Sequence, residues 1–516
     1  MAKLSALSWI GNAAAALGGV WGSVSRRARA VGCSRQTIYE HGRRVAQAVE
    51  ESQQAGQSRA ELAAEVARLL EENRQLWEWL DEAIEFPRER QQRFAATAAA
   101  LGLSVSQVRD LLQIVLGQRC PGRSTLGEWI NRWARRAGDV LRLVDQSCHR
   151  LVRQLCVDEI FCRRTPVLMA VEPVSMTWLA GQRGPDRKGA TWYTVLAAWL
   201  ALEYVVADGG SGIRAGVDQL QRERRERGEP PLEMNLDVFH IKQEAGRAMR
   251  RQWQYAEAVW DKAVDLEQAV EQRRRQGANT SRHNRGLRSA WDKAQAALER
   301  VQRQEKAWQQ AAQALEVFTP EGRLNDRRRG EAQIAAALPE LADARWAKTR
   351  RFLQDRRCLT FLDRLHQHLQ QAEPKEKLRE ALVHLWWLRR HRPRAEEGPA
   401  AAHLAEPLQA LSCAKLAPHW QAAYRRVAEV LRQAVRASSV VECLNSVTRM
   451  HQARHRHLTQ ELLDLKRLHW NCRPFREGKR RHTCPYALLG LRLPTLDWWQ
   501  LLTTPLADLA QQLSTA

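Results

Sequence analysis

The chain has 516 residues, with 81 Lys plus Arg against 58 Asp plus Glu, a net charge of +23 and a pI near 10.2. That length allows several domains and a sizeable core. No stretch approaches the roughly 18 apolar residues that a membrane span needs. Ser5 through Val20 is mildly apolar but is broken by Trp9, Gly11 and Asn12, so a soluble intracellular chain is expected. The positive excess gathers in clusters such as Arg273-Arg274-Arg275, Arg327-Arg328-Arg329 and Lys479-Arg480-Arg481, which points to a polyanion partner, most simply nucleic acid. The ten cysteines form no C-x-x-C pair, so zinc-knuckle and disulfide-framework readings are weak and reduced, mostly buried thiols are expected.

Ser25 through Tyr39 reads as a helix, a turn at Gly32, and a second helix capped by Ser34. This is either a helix-turn-helix that offers Arg35, Gln36, Thr37 and Tyr39 to the DNA major groove or an ordinary helical hairpin. Further on, Leu62, Val66, Leu69, Asn73, Leu76 and Leu80 alternate in steps of four and three. That is a coiled-coil seam, with Asn73 as the polar core position that sets register in a parallel dimer. The other reading is one amphipathic helix packed within the chain. Leu103 through Val108 and Pro121 through Trp129 start two more helices, the second with Ser124 as its expected N-cap and with Arg132, Arg135 and Arg136 following. They make a weaker second DNA-binding candidate.

Leu155 through Phe161 is a short apolar run interrupted by Asp158 and Glu159. It reads as a buried strand, and a buried carboxylate is costly unless it is paired or binds a metal. Either Asp158 sits at the strand's edge or it has such a partner. Glu159 should point to the opposite face. Thr165 through Val171 and Ser175 through Leu179 read as the next two strands, separated at Pro173, and Thr191 through Leu202 as a helix on the sheet or a further strand. Glu172, at the end of the second strand, is a distant rival ligand. A fourth strand ends at Asp208, followed by Gly209-Gly210-Ser211-Gly212 and a helix from about Ile213, a recurrent way to present an acid at a sheet rim. Asn235 through Phe239 reads as a fifth strand, with Asp237 and His240 near its end. Residues 243–435 show no convincing strand, and their tryptophans want burial, which argues for packed helices. Ser438 through Ser446 opens another helix, with Glu442 in its first turn and Ser438 or Ser439 as N-cap. Asn445 and Arg449 share its face, and Arg454, His455, Arg456 and Lys466 continue a basic strip. Three carboxylates from two strands and a helix could converge on divalent cations.

The order of these segments resembles DDE transposases of the bacterial insertion-sequence type, which have an RNase H-like core. In that family the first Asp lies on the first core strand, the second follows the fourth strand, and the Glu lies on a later helix. Asp158, Asp208 and Glu442 match those places. Leu236-Asp237-Val238-Phe239-His240 fits the C/D-x-x-H signature of Mutator-like and hAT-like transposases. Trp470 through Phe475, Gly478-Lys479-Arg480 and Pro485 through Gly490 look like the family's C-terminal tail. The resemblance covers about residues 150–245 and 435–495 and implies an α/β RNase H-like catalytic core, with a large all-α insertion supported by it; the all-α DNA-binding and coiled-coil segments that precede the core are read from their own residues. The boundaries expected are 1–57 for the helix-turn-helix, 58–86 for the coiled coil and 87–150 for the second DNA-binding module. The core takes 151–242 and 436–516, with the insertion at 243–435 between them.

The resemblance further implies cleavage and strand transfer at the terminal inverted repeats of an element. Mg2+ is the expected cofactor, with Mn2+ able to substitute. Asp158 would bridge two ions, Asp208 would hold one and Glu442 the other. Asp237, His240, Asn445 and Arg449 are auxiliary candidates. His240 would contact the scissile phosphate, orient the site, or tie strand to helix as a structural residue; Asp237 shares that ambiguity. The implied partners are element-end and target DNA and further copies of the chain in a dimer or larger synaptic complex, in a cytoplasmic, nucleoid-associated setting. A nuclease without strand transfer and an inactive, repurposed DNA-binding protein are the rival functions.

Overall fold

The computed structural model describes residues 6–54, 59–82, 86–391, 400–454 and 458–515. The chain divides into two compact units, Met1–Arg90 and Gln91–Ala516.

The first unit contains α1 (Ala6–Leu17), α2 (Ser23–Val31), α3 (Arg35–Gln54) and α4 (Arg59–Glu82). Gly32 ends α2 in the left-handed region, at φ 63°. Ser34 then caps α3, its Oγ accepting the Thr37 N–H at 3.1 Å. The helix–turn–helix contour expected from the sequence therefore forms, with Ile38 fully buried. Arg35, Gln36 and Tyr39 are exposed and Thr37 is half-buried. On α4, Val66 and Leu69 of the heptad seam remain exposed, so the seam is not buried within its own unit. The side chains of Leu76 and Leu80 lie outside the described residues.

The second unit opens with α5 (Arg88–Ala100), α6 (Val105–Leu116) and α7 (Arg123–Cys148). Ser104 and Gln107 close a capping box on α6, which is why that helix starts where the sequence places it. The α7 helix starts one residue before the expected cap: Gly122 occupies the N-cap position and Ser124 is already inside the helix. Trp129, Ile130, Val140, Leu141 and Val144 bury one side of α7. Arg136 is committed to the carbonyl oxygens of Leu502 and Thr504, and Arg132 to Gln92 at 2.7 Å. Those two arginines tie the unit together rather than forming a free DNA-reading strip.

The sheet follows: β1 (Gln154–Cys162), β2 (Thr165–Glu172), β3 (Thr177–Arg183), β4 (Tyr204–Ala207) and β5 (Glu233–Leu236). The strand order is β3-β2-β1-β4-β5. The first three strands pair antiparallel, and β1–β4 and β4–β5 pair parallel. The crossovers that parallel pairing requires carry α8 (Gly189–Ala197) and α9 (Ser211–Glu226). The segment read as helix or strand is thus a helix, shorter than expected. The fifth strand ends at Leu236 rather than Phe239.

From there α10 (Val238–Arg275) runs on without a break and turns back into α11 (Ser281–Ala314). The expected boundary at residue 243 falls inside α10. A helical assembly follows: α12 (Arg327–Ala337), α13 (Ala347–Gln354), α14 (Thr360–Ala372), α15 (Glu376–Arg390), α16 (Ala400–Leu416) and α17 (Trp420–Gln433). Leu369, Leu382, Leu385, Cys413 and Val427 share an apolar core there. The chain then returns to the sheet with α18 (Ser439–Arg454) and α19 (Gln460–Cys472) and finishes with α20 (Pro485–Leu489), α21 (Trp498–Thr503) and α22 (Leu506–Thr515).

An α/β core with large all-helical regions is the result. α18 packs on β1 and β2, and α19 on β3 and α7. Asn471 caps the free edge of β3, accepting the Trp178 N–H at 2.8 Å and donating to the Trp178 carbonyl at 2.9 Å. This satisfies backbone groups that an edge strand otherwise leaves open. Arg480 donates to the Val174 carbonyl, so part of the C-terminal tail motif is structural. Lys466, expected on a basic strip, is buried and donates to the Ala100 carbonyl at 3.0 Å. His455 and Arg456 lie outside the described residues. All ten cysteines are free thiols, six of them buried. Among the described residues no helix is long and apolar enough to cross a membrane.

Candidate functional site

The middle strand β1 carries two adjacent carboxylates whose side chains leave opposite faces of the sheet. Asp158 is buried, at 7% exposure. Its Oδ1 accepts the Glu159 N–H at 2.8 Å and its Oδ2 accepts Asn445 Nδ2 at 2.7 Å. Burial pushes the Asp158 carboxyl up to about 6, and the charges of Glu442 and Asp208 add to that rise against the pull of the Glu159 N–H and His240. Glu159 turns away, accepting Trp192 Nε1 at 3.1 Å and lying 3.6 Å from Arg187.

Asp208 follows the last residue of β4 and accepts the Gly210 N–H at 2.8 Å. The Gly-rich turn after it is sterically required. Gly209 has φ 78°, and a Cβ on Gly212 would lie 1.8 Å from the Arg187 carbonyl oxygen. Such positions admit only glycine without rearrangement.

Asp237 does not extend β5. It caps α10, accepting the Phe239 N–H at 2.8 Å. It also accepts His240 Nδ1–H at 2.5 Å, the Ser438 N–H at 3.1 Å and the Ser438 hydroxyl. Burial alone would raise this carboxyl, but the bonds from His240 and Ser438 outweigh it and hold Asp237 below the usual carboxylate range. Desolvation likewise opposes protonation of His240, yet the bond to Asp237 and the nearby acids keep its imidazole above the ordinary histidine value. With Nδ1 committed, Nε2 points inward and lies 3.7 Å from Glu442 Oε1.

Glu442 sits in the first turn of α18, and its other oxygen is 3.6 Å from Arg449. Ser438, one of the two expected caps, accepts the Glu442 N–H with its carbonyl at 3.2 Å and gives its hydroxyl to Asp237. Asp158, His240 and Glu442 each offer one ligand atom within 4.8 Å of the others. Asp208 stays outside this compact group, although its charge acts on Asp158 and His240.

The donor set fits a divalent cation. Two carboxylates suit a hard ion, and the imidazole moves the preference from Mg2+ toward a first-row ion such as Mn2+. A histidine whose second ring nitrogen is held by a carboxylate is the usual arrangement of a metal-ligating imidazole. Asn445 adds a buried Oδ1 without a hydrogen-bond partner beside Asp158.

The structure thus brings together Asp158, Glu442 and His240, with Asp208 at the margin. Asn445, read as a DNA-contacting residue from its helical spacing, is fully buried and holds Asp158 instead. Glu172 is no rival ligand: its carboxylate accepts the Ser175 N–H at 2.7 Å and the Ser175 hydroxyl at 2.6 Å, closing the β2–β3 turn. The Asp237–Ser438 latch escaped the sequence reading because it joins residues far apart in the chain. The one local signal was Ser438 directly before the helix that carries Glu442. Comparison with known proteins finds no match, whether among protein-family models, curated proteins or solved structures.

Proposed function

We propose that this chain is a DNA transposase that cuts and joins DNA at the ends of its element, using an RNase H-like core. The observation that carries this reading is the convergence of Asp158 from the middle strand with Glu442 from a helix that follows a large helical insertion. The β3-β2-β1-β4-β5 order supports it, since it sets Asp158 beside the strand that Asp208 directly follows. The charge of +23 supports a polyanionic substrate.

Asp158, Glu442 and His240 would hold a divalent cation, Mg2+ or Mn2+, with Asp208 joining as substrate binds. A bound cation would polarise the scissile phosphate and make a water or a DNA 3′-hydroxyl more acidic, hence a better nucleophile at neutral pH. Asn445 and the Glu159 N–H fix the orientation of Asp158. Asp237 fixes the ring of His240 so that Nε2 points toward Glu442. Arg449, more than half exposed, is available to a DNA phosphate near Glu442. The α2–α3 hairpin is the element-end reader, through Arg35, Gln36, Thr37 and Tyr39. The exposed seam of α4 is the self-association surface for a dimer or larger synaptic complex.

The test is incubation of the full chain with pre-cut element-end DNA and a plasmid target in Mg2+ or Mn2+. Joined products support the transposase reading. Cleavage without joining assigns a nuclease, and end binding without chemistry assigns a DNA-binding protein.

A further inference from the structure

The α10–α11 hairpin does not end in a neutral turn. Residues 271–288 hold six arginines, Arg273, Arg274, Arg275, Arg282, Arg285 and Arg288, against the single acid Glu271. All six are exposed. The shaft behind them is well built. Small buried residues, Ala256, Ala263, Ala294 and Ala297, let the two helices approach closely, and Trp260 packs edge-on against Trp291 at 4.9 Å.

Local helix chemistry accounts for half of the charge. Arg273, Arg274 and Arg275 lie in the last turn of α10, where cations complement the helix dipole. Arg274 and Arg275 also pair with Glu271. The α11 trio has no such account. Arg282 sits in the first turn of α11, where the dipole opposes a cation. Among the described residues no acid pairs with Arg282, Arg285 or Arg288. Three arginines spaced by three along one side of a helix, unpaired and facing water, form a ready row of phosphate contacts.

The shaft fixes where that row lies. His240 and Arg273 belong to the same continuous helix, α10, so the tip stands roughly 50 Å from the Asp158–His240–Glu442 group at 1.5 Å per residue. We propose that the tip of this hairpin binds the phosphate backbone of duplex DNA about 15 base pairs from the reacting phosphate. The assignment of that second point as the reaction centre rests on the proposed function; the binding surface itself does not.

The experiment compares the wild-type chain with a triple variant, Arg282→Gln, Arg285→Gln and Arg288→Gln, and with the charge-retaining triple Arg→Lys. Both are exposed helix-surface changes, and thermal melts confirm folding. Binding to non-specific duplexes of about 10 and about 40 base pairs is measured by fluorescence anisotropy across salt, without a metal and without chemistry. The expected result is a gain in wild-type affinity on the longer duplex that the Gln triple loses and the Lys triple keeps. The slope of log affinity against log salt should fall by about 2.7 in the Gln triple, which is about a 40-fold smaller loss between roughly 50 and 200 mM salt. Equal affinity and slope in wild type and Gln triple overturn the proposal, as does a change confined to the short duplex. Joining of short pre-cut ends, assayed separately, stays at the wild-type level in the Gln triple. Loss of joining by wild type itself counts against the transposase reading and leaves the binding result standing.

Discussion

Asn445 donates its side-chain amide to Asp158 Oδ2 at 2.7 Å, joining the helix that carries Glu442 to the strand at the centre of the sheet. Asn445 is fully buried, and the side-chain amide that it gives to Asp158 holds that carboxylate in place. Asn445→Ala should therefore weaken Mn2+ binding by about 10–100-fold, the usual effect of removing an outer-sphere partner. Isothermal titration of the metal alone reads this. Unchanged affinity would show that Asp158 is oriented without Asn445.

Asp237 and Glu442 both face His240 but should behave oppositely on substitution. Asp237 caps α10 and receives two bonds from Ser438. Asp237→Ala removes a cap worth about 1 kcal/mol and strands buried donors at about 1–3 kcal/mol. A loss of about 2–4 kcal/mol in urea unfolding is expected. Glu442→Gln, on the open side of the group, should change stability by no more than about 0.5 kcal/mol. Similar losses in both would contradict the division between an Asp237 that builds the fold and a Glu442 that is free to bind.

Acid should destabilise the second unit through His469. Burial pushes this imidazole down to about 4, and Arg473 and Lys466 add to the shift. In the unfolded chain it takes its proton near 6.5. Between those values the unfolded state binds more protons, so stability falls as pH drops from 6.5 to 4. The effect is at most about 3 kcal/mol. His469→Phe keeps a ring against Trp498, 5.2 Å away, and should flatten that part of the pH profile of thermal unfolding. A profile identical to wild type would mean that another group carries the slope.

The exposed seam of α4 should carry self-association. Val66 and Leu69 are exposed at 49% and 37%, and Asn73 lies on the same seam. Val66→Asp combined with Leu69→Asp should shift sedimentation toward monomer, because charges at heptad core positions are incompatible with a dry interface. An unchanged oligomeric state would remove α4 from the assembly.

The sequence was most informative where local pattern decides the structure. The apolar run around Asp158 and the one before Asp208 could be read because strand periodicity and a Gly-rich turn leave few alternatives. The same holds for Gly32 and Ser34, which set the α2–α3 turn through their own backbones. It was least informative where a distant partner decides. Asp237 looked like the end of a strand, yet it is a helix cap that recruits Ser438 from beyond the helical insertion. Asn445 and Lys466 sat at spacings that suit a DNA-facing strip, but packing against β1 and α5 turned them inward. Arg132 and Arg136 carry the composition of a basic surface, while α7 uses them to hold Gln92 and the segment before α22.

In the proposed function Asp158, Asp208 and Glu442 act together in metal-dependent DNA joining. The most direct measurement is strand transfer by Asp158→Asn, Asp208→Asn and Glu442→Gln beside wild type, with element-end binding followed in the same samples. Joining should be lost in all three while end binding survives. Joining retained by any one of them would contradict the assignment of that acid, and joining retained by Asp158→Asn would contradict the site as a whole.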